Sequence, residues 1–140
     1  MSDDDPSPQI YTENRYFTIA FEKLKNHPSV ELRSLHVALL VKGGRILSVG
    51  FNKRKKNKFI DIHARHPGCT THAECAAILK VRKKIDLTGC KIYVARLKKN
   101  DHTLGNSKPC EMCQEIIKKH GIKKVYYTVE SNKFDIMWVQ

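Results

Sequence analysis

His72-Ala73-Glu74 and, further along, Pro109-Cys110-Glu111-Met112-Cys113 are the two stretches whose residue types and spacing could do chemistry. A neutral imidazole and thiolates are zinc ligands, and a catalytic zinc takes three protein ligands while keeping one position open for water. His72, Cys110 and Cys113 supply three. Cysteines three apart on a helix lie on one face, so both sulfurs can reach one ion. Pro109 suits the first helical position, where its missing N–H costs nothing, and the positive end of a helix favours thiolates. Glu74, two residues beyond His72 on a second expected helix, points away from the imidazole and flanks the open position instead of chelating. Water on such a zinc has a pKa near ~7, and a neighbouring carboxylate can collect its proton and redeliver it.

Two other uses of these residues are open at this point. Thr71 and Glu74 fit a capping box, in which they only satisfy the first backbone N–H groups of a helix. Cys75, three after His72, could join His72, Cys110 and Cys113 in a closed Cys3His site, giving a zinc-ribbon-like module without catalysis. His-x-Glu, Pro-Cys-x-x-Cys and the strand and helix pattern around them agree with one another, which favours the open arrangement. Cys75 is then a small apolar residue packed against the sheet. His63, His66 and Cys69 precede the first motif, but Pro67-Gly68 signals a turn instead of a ligand scaffold, so no second metal site is assigned there.

The elements that must position these side chains can be read from periodicity. Phe17, Ala20, Phe21 and Leu24 recur at helical spacing, predicting an amphipathic helix over 13–26 that ends near Asn26-His27-Pro28. Leu35 to Lys42 and Arg45 to Phe51 flank Gly43-Gly44 and predict a hairpin. A polar loop runs to Thr71. A helix then carries His72 and Glu74, with Ala77, Ile78, Val81 and Ile85 facing the core. Cys90 to Leu97 alternates as a third strand, Cys113, Ile116, Ile117 and His120 mark one face of a third helix, and Gly121 is its C-cap. Lys123 to Val129 and Phe134 to Val139 are strands joined by about four residues, too few for a parallel crossover, so they form an antiparallel hairpin. The expected fold is α/β, a three-layer α/β/α sandwich around a five-stranded mixed sheet whose last two strands are antiparallel.

Length and composition set the outer limits. The 140 residues make one domain by the usual size prior, read as a disordered acidic tail over 1–10 and a zinc-binding domain over 11–140. No apolar run is long enough to span a membrane, and the opening Met-Ser-Asp-Asp-Asp-Pro-Ser-Pro is not a signal peptide. Five cysteines, an odd number with at least two used as thiolates, argue for a reducing interior: an intracellular, cytoplasmic protein, with a nuclear location as the alternative.

With both motifs in place, the chain resembles the cytidine deaminase superfamily over residues 34 to 139, a group that includes cytidine and deoxycytidylate deaminases, tRNA adenosine deaminases and polynucleotide cytosine deaminases. The resemblance implies zinc ligands His72, Cys110 and Cys113, with Glu74 as proton shuttle. Gly50-Phe51-Asn52 is similar to the family's glycine-aromatic-asparagine segment, which implies that Asn52 touches the sugar, and Ala73 would offer its backbone to the base. His72-Ala73-Glu74-Cys75-Ala76-Ala77-Ile78-Leu79 is similar to deoxycytidylate deaminases, whereas the final hairpin is more like the free-nucleoside branch. Relatives commonly build the pocket across subunits, which implies a homo-oligomer.

Charge bears on the substrate. The formal balance is +12, and Lys53-Arg54-Lys55-Lys56-Asn57-Lys58 follows Asn52 where the loop should border the pocket. Lys53, Arg54, Lys55 and Lys56 are therefore candidate phosphate ligands, although such a run also fits a solvated loop or a nuclear-localisation-like patch. Lys98-Lys99, Lys108, Lys118-Lys119 and Lys123-Lys124 add positive charge, and Tyr93, Tyr126 and Tyr127 read as strand core more than as base-stacking platforms. The expected activity is zinc-dependent hydrolytic deamination of cytosine to uracil in a nucleotide such as deoxycytidylate, or in cytidine or deoxycytidine. The alternatives are a DNA or RNA cytosine or adenine deaminase and, outside catalysis, a structural-zinc module that binds nucleic acid.

Overall fold

Asn14 opens the first helix: its side chain accepts from the Tyr16 N–H at 2.9 Å and caps α1 (Arg15–Lys25). The computed structural model describes residues 14–27, 34–56, 70–98, 103–130 and 133–139. The acidic tail and His63, His66 and Cys69 lie outside them. Phe17, Ala20, Phe21 and Leu24 are buried, as their spacing predicts.

β1 (Ser34–Lys42) and β2 (Arg45–Phe51) pair antiparallel across Gly43 and Gly44, whose φ angles of 59° and 77° make the two-residue turn that glycine adopts without a Cβ penalty. On its other side β1 pairs antiparallel with β5 (Lys91–Lys98), and β5 pairs parallel with β7 (Lys124–Val129). The parallel step needs a long crossover, supplied by α3 (Glu111–Lys119). β7 returns antiparallel into β8 (Lys133–Trp138), the hairpin expected from the short connection.

The strand order is β2-β1-β5-β7-β8, the expected five, and a two-residue sixth strand, β6 (Leu104–Gly105), pairs with β5. The stretch read as a polar loop up to Thr71 departs from expectation, because β3 (Lys53–Lys56) and β4 (Thr70–Thr71) pair within it as a separate two-stranded sheet. Lys and Arg are poor strand signals, so periodicity alone could not reveal it.

Alternation along β1 divides the core into two layers. Leu35, Val37, Leu39 and Val41 pack with α1, Tyr93, Ala95 and Leu97. Ala38 and Leu40 face the other way, toward α2 (Ala73–Val81) and α3, with Ile92, Val94, Val125 and Tyr127. This is the helix–sheet–helix arrangement expected. Tyr93 and Tyr127 are buried and Tyr93 stacks on half-buried Tyr126 at 4.3 Å between centroids, so these tyrosines are structural. No helix among the described residues is long and apolar enough to cross a membrane.

Candidate active site

The two chemistry-bearing motifs meet because α2 and α3 both begin at one cavity. His72 is the N-cap of α2 and Cys110 the N-cap of α3, each in extended backbone; neither is a usual capping residue, and the Cys110 sulfur turns toward Cys113 in the first turn of α3. This corrects two expectations. Pro109 precedes the N-cap instead of occupying the first helical position, and the Thr71–Glu74 capping box does not form, because His72 holds the cap position. Asp, Asn, Ser or Thr at a cap contributes about 1 kcal/mol. At both helices that contribution is forgone, and a metal-type ligand sits at the positive helix end.

The Nδ1 of His72 lies 3.2 Å from Cys113 Sγ and 3.7 Å from Cys110 Sγ, and the three donor atoms fall within 4.8 Å of one another. Three soft donors converging this closely fit a zinc ion. Cys75 Sγ is 3.8 Å from Cys113 Sγ, but Cys75 is wholly buried in the apolar layer beneath α2 and falls outside the converging trio.

Electrostatics distinguish the two sulfurs. The Cys113 hydrogen bond, with further help from His72, holds the Cys110 thiol down at about 3. Cys113 is pushed well above its ordinary value by its bonds to Cys110 and Cys75 and by burial. Ligation of zinc by Cys113 requires the loss of its thiol proton. His72 is raised, chiefly by its hydrogen bond to Cys110.

Glu74 sits in the first turn of α2 and is 5% exposed. Burial raises its carboxyl, against the pull of its own backbone N–H and of His72. A carboxyl whose charged form is disfavoured by burial holds a proton more readily once it has taken one, and can pass it on.

A cavity of about 300 Å³ opens beside these residues, with His72, Ala73, Glu74 and Cys110 in its lining. His36 and Asn52 form one wall, Ser107 and Lys108 another. Asn52 follows the end of β2; its Oδ1 accepts from the His36 N–H at 2.8 Å and its own N–H donates to the His36 carbonyl at 3.3 Å. Ser107 donates to the Val94 carbonyl at 2.8 Å and accepts from the Thr128 N–H at 2.8 Å, and its own N–H donates to the Thr128 carbonyl at 2.8 Å. Thr128 Oγ1 donates in turn to the Gly105 carbonyl at 2.8 Å.

Of the residues singled out from sequence, His72, Ala73, Glu74, Cys110 and Asn52 line this cavity, and Cys113 lies just behind. Lys53 is exposed and does not line it. The side chains of Arg54, Lys55 and Lys56 lie outside what is described. Gly50 gains a reason that sequence did not provide: a Cβ there would run into the backbone N of Ala77 and the carbonyl of Ala73, so only glycine lets β2 and α2 touch. His36 and Ser107 are the lining residues that sequence reasoning missed. An isolated histidine within an apolar strand is one available signal; Ser107 has none beyond its place two residues before Pro109.

Similarity to known proteins agrees with this geometry. Residues 11–129 match the cytidine and deoxycytidylate deaminase zinc-binding region. The fold is similar to that of the dCMP deaminase from the cyanophage S-TIM5 in apo form, at 24% identity over 91% of this chain and 88% of that one, with a TM-score of 0.56. The structure of the cyanophage enzyme in complex with dCMP and dUMP gives 23% identity, coverage of 81% and 77%, and a TM-score of 0.53. Cytidine deaminase from Burkholderia pseudomallei is similar at 16% identity, coverage of 87% and 88%, and a TM-score of 0.63. No curated protein sequence matches the chain significantly. Because the matched region spans both halves of the site, the chain belongs to the cytidine and deoxycytidylate deaminase family and is a zinc-dependent hydrolytic deaminase instead of a structural-zinc module.

Proposed function

We propose that the protein deaminates cytosine in a nucleotide such as deoxycytidylate, with His72, Cys110 and Cys113 holding zinc and Glu74 moving the protons. The observation that carries this reading is the placement of buried Glu74 in the lining of the same cavity as the converging donors. Zinc, when bound, supplies the Lewis acidity that makes water a nucleophile near neutral pH. Glu74 takes a proton as the water oxygen adds to C4, returns it to the ring nitrogen N3, and passes the next proton to the departing amino group. Water and cytosine thereby become uracil and ammonia. Ala73, in the cavity lining, offers backbone polar groups to the base, and Asn52 meets the sugar.

The cavity lies at the small end of ligand pockets, which suits one nucleotide. The cyanophage dCMP deaminase, whose complex holds dCMP and dUMP, supports the same choice.

The test is ammonia release from deoxycytidine, dCMP and a cytosine-containing single strand by wild type and Glu74→Ala. The variant is expected to keep its zinc and its fold while losing ~100-fold or more in turnover, the usual contribution of a positioned acid–base group. Turnover surviving within a few-fold would remove Glu74 from the chemistry.

A further inference from the structure

Two side chains on the cavity wall have no part in the chemistry above. His36 reaches the wall from β1, and Lys108 stands two residues before Cys110. The other polar groups there are engaged: His72 and Cys110 by each other, Ser107 by Val94 and Thr128, and the Asn52 Oδ1 by a backbone N–H.

Lys108 is held by its backbone and not by its charge. Its N–H donates to Asn106 Oδ1 at 2.9 Å, while its exposed ammonium pairs with no acid among the described residues. This ammonium is therefore a positive charge beside the cavity with no ion-pair partner among the described residues. Such a charge draws an anion.

His36 is the complementary case. It occupies a strand face whose next members, Ala38 and Leu40, are core. Its backbone is fixed from both sides, by Asn52 and by pairing opposite Arg96 on β5. Burial, Arg96 and His72 together lower its imidazole to about 4, so the ring is neutral and offers one donor and one acceptor. A neutral donor–acceptor suits uncharged polar groups, and an ammonium suits a phosphate.

We propose that His36 and Lys108 select the substrate, Lys108 by binding its phosphate and His36 by hydrogen-bonding its uncharged nucleoside part. The proposal rests on the nucleotide reading above and moves phosphate recognition from the Lys53–Lys56 stretch to the wall beside the metal ligands.

The experiment measures kcat/KM for deoxycytidine, dCMP and a cytosine-containing single strand, together with equilibrium binding of dUMP and deoxyuridine to the zinc-loaded protein. Lys108→Gln is expected to lower the dCMP-to-deoxycytidine ratio of kcat/KM roughly tenfold or more, through KM, with a matching loss in dUMP affinity, the scale of one hydrogen bond to a charged group. Lys108→Arg should recover most of it. His36→Phe should weaken dUMP and deoxyuridine by similar factors, and His36→Asn, which keeps a donor and an acceptor, should restore part of both. An unchanged ratio in Lys108→Gln, or unchanged affinities in His36→Phe, would overturn the assignment of that residue. A ratio that moves for the single strand but not for dCMP would keep the phosphate contact and overturn the mononucleotide. Wild type that binds dUMP through Lys108 but releases no ammonia would sink the deaminase substrate while leaving this proposal standing.

Discussion

Beneath α1 the sheet meets its helix through bulk: Val37, Leu39 and Tyr93 pack against Phe17, Phe21 and Leu24, with Phe17 edge-on to Tyr93 at 5.5 Å between centroids. Beneath α2 the same sheet meets its helix almost backbone to backbone, through Gly50, Ala38, Ala73 and Ala77. Ser48 adds a 2.8 Å hydrogen bond to the Ala77 carbonyl, and Lys80 Nζ donates to the Val49 carbonyl. Large side chains in a core fill space and can relax when one is changed. Backbone contact cannot, so the Gly50 seam fixes the position of His72 and Glu74, while apolar bulk is buried in both layers.

The largest expected change separates these roles. Phe17→Ala should cost about 3–5 kcal/mol of stability in urea unfolding, the usual penalty for emptying an aromatic site. Its folded fraction should turn over substrate within a few-fold of wild type, and a comparable collapse of kcat would show that the layers are not separable. Gly50→Ala comes next. The added methyl must push β2 from α2, at about 1–3 kcal/mol in stability, and a displacement of α2 by ~1 Å can cost ~100-fold in turnover. Unaltered kcat would break the comparison. Ser48→Ala is the smallest, about 1 kcal/mol for one lost hydrogen bond, readable as a shift in the unfolding midpoint with zinc content unchanged.

The same contrast explains what could be read without coordinates. Phe17, Ala20, Phe21 and Leu24 announced α1 because a bulky amphipathic stripe is a periodic signal, and the two motifs announced the site because ligand chemistry restricts residue type. The short link after Val129 fixed the antiparallel ending of the sheet by chain geometry. Gly50 was read as part of a family-like segment, and its steric reason emerged only when α2 was seen lying on it. His36 looked like one polar interruption in a strand, because nothing local says which face of β1 borders a cavity. Lys108 looked like one of several scattered lysines along the chain, yet it lines the cavity. Charge runs are visible along a chain; the placement of one charge is a property of the folded loop.

Ser107 has a further consequence, for how the chain can vary in length. Leu104 and Gly105 pair back onto β5, and Ser107 fastens to Val94 and Thr128 before the chain reaches Cys110. Residues added between Lys98 and Leu104 therefore lie upstream of two successive moorings and leave the metal-facing sulfurs where they are. One residue added between Ser107 and Cys110 has only the short link of Lys108 and Pro109 to absorb it before α3 is packed in the core, so it is expected to shift Cys110 relative to the His72 imidazole. An insertion in the first segment should therefore leave zinc content intact, whereas a single-residue insertion in the second should lower it.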